Sequence, residues 1–227
     1  MDNLMEGDFY LRYLDPRFPL LQKLREKALG TYFHSHLVAE MGYSIARVME
    51  NTDPLLVYFG GLYHDIGKIA VPEAFAENQD TISNTDFDAE AILSHVEKGY
   101  LLAKSFHFPK PLCNIIRSHH GTSVAPNPNK EIKVRYTGKK PSTREETIVF
   151  LTDSIEAAVR SERNQKLTPS DFRRIVDEVI RAKRIDRQLS LSPFQEADYL
   201  FLQEDFVHIL DRMHHSRPEW SRDIRKQ

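Results

Sequence analysis

Two short stretches place pairs of candidate metal ligands side by side, close to a glycine. LYHDIGK carries His64 and Asp65, and IRSHHG carries His119 and His120. Both pairs fall at the predicted end of a helix, where the partial negative charge of the backbone favours cations. Successive helical residues point about 100° apart, so an adjacent pair suits two metal centres or one bridging ligand. A carboxylate has two oxygens and is the natural bridge. The pairs therefore favour a site with more than one metal.

Three further candidate ligands lie on predicted inward faces of helices. His34 sits at the start of one helix, and His95 follows AILS on the apolar side of another. Asp153 lies in IVFLTDSIEAAV, the most apolar helix of the chain. A carboxylate at that position is costly to bury unless it is paired or binds a metal. The alternative for His95 is a core histidine that is hydrogen-bonded to a backbone carbonyl.

Five histidines and two aspartates make up the full set of candidate ligands, namely His34, His64, Asp65, His95, His119, His120 and Asp153. This set exceeds the needs of one metal and fits two centres with open coordination positions. Two-metal sites activate a hydroxide and stabilise both the attacking and the leaving oxygen in phosphoester hydrolysis. Imidazole and carboxylate ligands without a thiolate favour Fe or Mn, with Zn as a further candidate, over a structural zinc site.

Three residues near these ligands are candidates for substrate contact. Lys68 follows Asp65 by three residues, within reach of a metal-bound phosphate, and we expect these two residues to be catalytic. Arg160 lies seven residues after Asp153 and therefore on the same helix face. Thr122 lies just past the histidine pair, after Gly121. The alternatives are a helix-end cation for Lys68 and a surface ion pair for Arg160.

Composition narrows the class of protein. A net charge of -2 in 227 residues gives no reason to expect duplex nucleic acid or an anionic membrane as partner. No apolar run approaches the ~18 residues of a membrane span, and the acidic N-terminus is unlike a signal peptide. Cys113 is the single cysteine, which excludes an intrachain disulfide and suits a reducing compartment. We therefore predict a cytoplasmic, all-α protein.

Helical periodicity covers almost the whole chain. Helices are predicted over 15–29, 33–50, from Asp53-Pro54 to LYHDIG, over 88–106, from Pro109 or Pro111 to Gly121, behind a capping box at Ser142 and Glu145, from Thr168, and from Ser192 to about 214. Residues 71–86 are predicted to form a loop. The predicted organisation is a single domain over 1–227, with a core over about 29–162 and a C-terminal helical subregion over about 168–220.

Residues 122–144 interrupt this pattern. The segment has six basic residues against one acidic residue and lacks a helical period. KVRY within it is a candidate short strand, which would make the loop a short hairpin. A connection of this length in a compact domain is usually functional or disordered. The two interpretations are a lid that collects an anionic substrate and a solvated loop.

Taken in order, HS at 34, HDIGK at 64, HV at 95, HHGT at 119 and LTDSIEAAVRS at 151 resemble the HD-domain metal phosphohydrolases. More closely, the chain resembles the cytoplasmic HD domain of the seven-transmembrane HD family, which are cyclic-di-AMP phosphodiesterases. GTYFHS, DPLLV, ENQ, KPSTREE and HHSRPEW also match that family. The resemblance runs from about residue 29 to 220 and implies an HD-domain helical bundle.

The resemblance also implies a ligand assignment and a reaction. One metal would be held by His34, His64, Asp65 and Asp153, and the other by His95, His119 and His120, with Asp65 bridging. The implied reaction is hydrolysis of cyclic-di-AMP to linear pApA. Related proteins are membrane-attached, whereas no membrane segment is expected in this chain. The sequence does not determine the oligomeric state.

Three departures from the family pattern remove no candidate metal ligand, and the last two bear on the identity of the substrate. Phe33 stands where the family usually has a histidine, and SNTDFD and SVAPNPNKEIKVRY replace family segments near the expected pocket. Two alternative functions stay open. One is an HD nucleotidase that acts on a deoxynucleotide or alarmone, which typically needs one metal. The other is a non-catalytic sensor of a cyclic dinucleotide. The cyclic-di-GMP branch is disfavoured because its Gly-Tyr-Pro signature is missing.

Overall fold

The computed structural model describes residues 13, 15, 17–79, 89–125, 133–162 and 166–215. Within these ranges the chain forms α-helices, short 3-10 turns and no β-strand. The α-helices are α1 (Pro19–Lys27), α2 (Leu29–Ala46), α3 (Pro54–Tyr63), α4 (Ala89–Ser105), α5 (Lys110–Ser118), α6 (Arg144–Ser161), α7 (Pro169–Ile185) and α8 (Glu196–His215). The predicted all-α fold is confirmed.

Local capping chemistry sets several helix starts. The Asp53 carboxylate accepts hydrogen bonds from the backbone N–H groups of Leu55 and Leu56, at 2.9 and 3.1 Å, and Pro54 opens α3. Thr168 caps α7 through a reciprocal capping box with the third helical residue. Both starts agree with the sequence prediction because capping depends on residues only two or three positions apart.

The predicted capping box of α6 is displaced by one residue. Thr143, rather than Ser142, is the N-cap, and its side chain accepts from the backbone N–H of Glu146. The buried Glu146 carboxylate in turn accepts from the backbone N–H of Ser142 at 2.7 Å. Glu145 accepts instead from the backbone N–H of Asp53 at 3.1 Å. Tertiary packing therefore decides which of two adjacent glutamates serves the cap.

The main hydrophobic cluster joins the C-terminal helices to the rest of the chain. It combines side chains of α2, α3 and α6, such as Ile45 and Phe150, with Phe172 of α7 and Phe206 of α8, all of them fully buried. A second cluster gathers aromatic side chains around Tyr13, which contacts other rings edge to face. α7 and α8 therefore pack directly against the helices that carry candidate ligands.

Three consecutive 3-10 turns follow α3, namely Ile66–Ala70, Pro72–Ala74 and Ala76–Asn78. Residues 71–79 are thus more ordered than the predicted loop. Asn78 fixes them to α2: its side-chain oxygen accepts from the backbone N–H of Thr31 at 3.0 Å, and its amide donates to the Thr31 hydroxyl at 2.9 Å.

The predicted hairpin is reduced, in the described part of the basic loop, to one isolated antiparallel bridge between Val124 and Arg135. Residues 126–132, the segment SNTDFD and the tail from residue 216 lie outside the described residues. No helix in the described ranges has the length and apolar character needed to cross a membrane.

Candidate metal centre

Three helices contribute one group of candidate ligands. His34 comes from α2, His64 directly follows α3, and Asp153 lies in the middle of α6. One ligand atom from each lies within 4.8 Å of the others, and all three residues are buried. His34 Nε2 is 3.1 Å from Asp153 Oδ1, and His64 Nε2 is 3.7 Å from the same oxygen. The three side chains therefore surround a single point.

The second group contains Asp65, His95, His119 and His120, again with ligand atoms within 4.8 Å of one another. Asp65 Oδ1 lies 3.3 Å from His95 Nε2 and 3.4 Å from His119 Nε2. His120 is partly exposed, and its ring stacks on that of Tyr136 with the centroids 4.3 Å apart. This group is assembled from α4, from the turn that follows α5 and from Asp65, which lies just after α3.

Asp65 stands between the two groups. Its Oδ1 faces the second group, while its Oδ2 lies 3.1 Å from His64 Nε2 and 3.7 Å from His34 Nε2. The carboxylate is fully buried. Burial acts to raise its pKa, but the Lys68 ammonium and the surrounding histidines hold the pKa well below the ordinary range. Asp65 is therefore ionised and presents one oxygen to each group.

Hydrogen bonds to the backbone determine which nitrogen carries the proton in three histidine rings. Nδ1 of His64, His95 and His119 lies 2.7, 2.6 and 2.7 Å from the carbonyl oxygens three residues earlier in the chain. A carbonyl only accepts, so each Nδ1 carries the proton, and in the neutral ring Nε2 presents a lone pair. The three Nε2 atoms point towards Asp65, where they are poised to bind a metal.

Several buried hydrogen-bond acceptor atoms of the site face one another, which bears on whether the site can hold a cation. His95 Nε2 and His119 Nε2 are 3.3 Å apart, and both face the Asp65 Oδ1 oxygen. His64 Nε2 and Asp65 Oδ1 are buried and have no hydrogen-bond partner. Such a cluster of acceptors repels itself unless a positive charge lies among them. The residues present therefore fit divalent metal ions.

His34 is oriented by a carboxylate that the sequence analysis did not select. Its Nδ1 lies 2.6 Å from Glu156 Oε2, and its Nε2 points to Asp153. Burial acts to lower the pKa of His34, but the Glu156 and Asp153 carboxylates outweigh it and raise the pKa to about 10. A metal in the first group would displace the proton from Nε2, while Glu156 keeps Nδ1 protonated and Nε2 directed towards that group, a common arrangement around metal-binding histidines.

Lys68 and Arg160 are paired with carboxylates rather than free. Lys68 Nζ lies 2.7 Å from Asp65 Oδ2 and 2.6 Å from Glu77 Oε1. Arg160 pairs with Glu156 at 3.2 Å and with Glu77 at 3.6 Å. Glu77 therefore links both cations. Two of the three Lys68 donors are taken, so a phosphate at this position would use the third.

Thr122 is held by the turn that follows α7. Its backbone N–H donates to Gln188 Oε1 at 2.8 Å, and its hydroxyl also contacts the Gln188 amide. Its carbonyl accepts from Arg135, which in turn pairs with Asp186. The half-exposed Arg135 thus ties the basic loop to Thr122 and to the turn that follows α7.

Sequence reasoning missed four residues that shape the site, namely Glu77, Tyr136, Glu156 and Gln188. Glu156 had a detectable signal, because it lies one turn after Asp153 on the same face of α6. Glu77 belongs to the ENQ stretch, which marks the family but does not reveal its lysine partner. Tyr136 and Gln188 reach the site only through tertiary contacts, and their local sequence gave no signal.

The described geometry agrees with comparisons to known proteins. The HD domain family model matches residues 31–158, and the chain belongs to this family. It is 33% identical over 225 residues to "Cyclic-di-AMP phosphodiesterase PgpH" of Listeria monocytogenes and 33% identical over 237 residues to the protein of that name from Bacillus subtilis. The alignments cover 92% and 95% of this chain but 31% and 32% of those relatives. The chain thus spans about a third of their length.

A solved structure shows the same fold. The crystal structure of the L. monocytogenes PgpH HD domain in complex with cyclic-di-AMP matches this chain with a TM-score of 0.80 at 33% identity. The match covers 88% of this chain and 99% of that one. The predicted family and fold are confirmed, and membership of the HD domain family implies binding of divalent metal.

Proposed function

We propose that this chain is a metal-dependent phosphodiesterase that hydrolyses a cyclic dinucleotide, with cyclic-di-AMP as substrate and linear pApA as first product. The observation that carries this proposal is the position of Asp65, whose two oxygens face two separate groups of buried ligands. The similarity to PgpH, whose HD domain binds cyclic-di-AMP in a crystal structure, supports the choice of substrate.

Two divalent ions are the proposed cofactors. His34, His64, Asp65 and Asp153 would hold the first, and His95, His119, His120 and Asp65 the second. The ligands are nitrogen and oxygen atoms, which favours Fe or Mn, with Zn as a further candidate. When bound, such ions polarise a phosphoryl oxygen and lower the pKa of a water nucleophile.

The protein residues around the metals have distinct proposed roles. Lys68 fixes the Asp65 carboxylate through its 2.7 Å ion pair and offers its remaining donor to a phosphate oxygen. Arg160 lies on the same face of α6 as Asp153 and is a second proposed phosphate contact. Its ion pairs with Glu77 and Glu156 hold the guanidinium in place for that contact. Thr122, held by Gln188, is a proposed substrate contact next to the histidine pair.

The two alternatives are weaker on the geometry. A nucleotidase with one metal needs only the group around His34, whereas this chain also brings together His95, His119 and His120. A non-catalytic sensor is disfavoured because no member of the proposed ligand set is replaced. The proposed location is the cytoplasm, in keeping with the buried free thiol of Cys113.

Metal analysis followed by product chromatography tests the proposal. Purified protein is assayed for bound metals and then incubated with cyclic-di-AMP, cyclic-di-GMP and a panel of deoxynucleotides. We expect two metal ions per chain and conversion of cyclic-di-AMP to pApA. Metal-loaded protein that turns over none of these compounds would rule out the proposal, and turnover of deoxynucleotides alone would favour the nucleotidase.

Replacement of Asp65 separates the bridging role from a general loss of structure. Asp65→Ala removes an oxygen from both groups, so we expect loss of metal from both and loss of hydrolysis. Asp15→Ala, which removes an exposed carboxylate paired with Arg17, is the matched control and should keep both. Retention of two metals and full activity by Asp65→Ala would contradict the bridging role.

A further inference from the structure

Lys183, in the last turn of α7, lies against two segments that carry proposed metal ligands. Its Nζ donates to the Ser123 hydroxyl at 3.2 Å and lies 4.6 Å from the centroid of the Phe150 ring. Ser123 follows His120 by three residues, and Phe150 precedes Asp153 by three residues on α6. The ammonium therefore lies at the edge of the proposed metal centre. It comes from α7, which is outside the predicted domain core of about 29–162.

Lys183 differs from the other cations near the site because it has no carboxylate partner among the described residues. Lys68 has carboxylate oxygens at 2.7 and 2.6 Å, and Arg160 has them at 3.2 and 3.6 Å. No carboxylate of a described residue lies within 4.0 Å of Lys183 Nζ. Burial lowers the pKa of Lys183, while the Asp153 and Asp186 carboxylates act in the opposite direction.

Two donors of the ammonium are left for a ligand. One of the three N–H groups is used by Ser123, and the Phe150 face supplies a weak cation–π contact. A partly buried cation without a carboxylate partner is well suited to an anion that arrives with the substrate, since the pairing is then made only in the complex. A cyclic dinucleotide brings two phosphodiesters, of which only one is cleaved at a time.

The geometry points to Lys183 as the residue that binds the second phosphodiester, the one not undergoing cleavage. This inference rests on the proposed function. The cleaved phosphate must reach the metal groups, whose ligand atoms lie within 4.8 Å of one another in each group. Lys183 forms no ion pair with the Asp65 or Asp153 carboxylate. Lys183 would therefore select for substrates with two phosphates over substrates with one.

Two substrates distinguish this role from a structural one. Kinetics of metal-loaded Lys183→Met are measured with cyclic-di-AMP and with bis(p-nitrophenyl) phosphate, which has one phosphodiester. We expect KM for cyclic-di-AMP to rise about 10- to 100-fold, as for loss of a charged hydrogen bond, with little change in kcat. Kinetics with bis(p-nitrophenyl) phosphate should not change. Binding of a cleavage-resistant phosphorothioate analogue of cyclic-di-AMP, measured by calorimetry, should weaken by the same factor.

Two further variants serve as controls. Lys183→Arg keeps the cation and should restore most of the affinity, whereas Arg181→Met removes an exposed charge two residues earlier on α7 and should bind like the wild type. Equal losses on both substrates, or unchanged binding by Lys183→Met, would overturn the inference. If the wild type binds the analogue but cleaves no cyclic-di-AMP, only the proposed function fails. If the wild type does not bind the analogue, both fail.

Discussion

Gly67 sets the distance between Asp65 and His95, two members of the second ligand group. It lies in the turn after Asp65 and packs directly on the backbone of α4, which carries His95. A Cβ at position 67 would lie 1.9 Å from the His95 carbonyl oxygen and 2.6 Å from the Gly99 nitrogen. Real Cβ contacts essentially never fall below 3.0 Å, so in Gly67→Ala the turn and α4 must separate by about 1.1 Å. Backbone atoms cannot rotate away, which makes this movement unavoidable.

The separation acts directly on the metal centre. Asp65 Oδ1 and His95 Nε2 are 3.3 Å apart, on opposite sides of the contact that widens. We expect Gly67→Ala to lose metal from the second group and to retain it in the group around His34. A misplacement of about 1 Å commonly lowers catalytic rates by about 100-fold, and overpacking costs about 1–3 kcal/mol of stability.

Gly99→Ala is the matched control, because it adds the same methyl group across the same contact. Its Cβ would lie 3.1 Å from the Gly67 nitrogen and 3.3 Å from Ile116 Cγ2, which a shift of a few tenths of an ångström relieves. Metal content, thermal unfolding and hydrolysis of cyclic-di-AMP are compared for both variants and the wild type. Equal metal content and activity in Gly67→Ala and the wild type would refute the reasoning.

Three further predictions concern residues around the ligands. Glu156→Gln loosens the orientation of His34 and should weaken metal binding in titrations about 10- to 100-fold. Burial acts to raise the pKa of Glu77, but its lysine partner outweighs burial and lowers the pKa from 4.5 to about 2. Ionised Glu77 thus stabilises the folded state above pH 4.5, and this contribution is lost as pH falls towards 2. Urea unfolding of Glu77→Gln should therefore show a shallower loss of stability over that range. Gln188→Ala leaves the Thr122 N–H without its acceptor and should cost about 1–3 kcal/mol in thermal unfolding.

Each of these predictions has its own control. Glu178→Gln removes an exposed carboxylate of α7, so it should leave metal titrations unchanged, and an equal effect would contradict the role of Glu156. Parallel stability curves for the wild type and Glu77→Gln below pH 4.5 would show that the ion pair is not the cause. Gln22→Ala, on an exposed position of α1, provides the baseline for Gln188→Ala, and equal unfolding temperatures would count against the tie to Thr122.

The features that sequence predicted well depend on chemistry local to the chain. The caps at Asp53 and Thr168 need residues only two or three positions away. The candidate ligands could also be selected from the sequence, because an acid such as Asp153 stands out in an apolar helix and the adjacent pairs fall at predicted helix ends. The structure brings all seven candidate ligands together in two groups, with Asp65 in the group of His95, His119 and His120 and its second oxygen facing the other group.

The other residues of the site are placed by contacts between parts of the chain that are distant in sequence. Gln188 and Thr122 are 66 residues apart, and Lys183 and Ser123 are 60 apart. No periodicity or spacing can reveal such pairs, since they follow from how α7 packs. The pairing of Lys68 with Glu77 is closer in sequence, at nine residues, but depends on the path of the 3-10 turns between them. Sequence therefore indicates the candidate ligands more readily than the residues that orient them or balance their charge.

The packing of α7 and α8 has a consequence for how the protein unfolds. Arg144 at the start of α6 pairs with Asp198 of α8 at 2.7 Å, and the Thr147 hydroxyl bonds to Ser192 at 3.0 Å. Because these contacts join α6 to α8, and the main hydrophobic cluster includes side chains of α2, α3, α6, α7 and α8, we expect the site and the C-terminal helices to unfold as one cooperative unit. Metal binding at the site should therefore slow amide hydrogen exchange in the last turn of α7, which would make that turn a reporter of the state of the site.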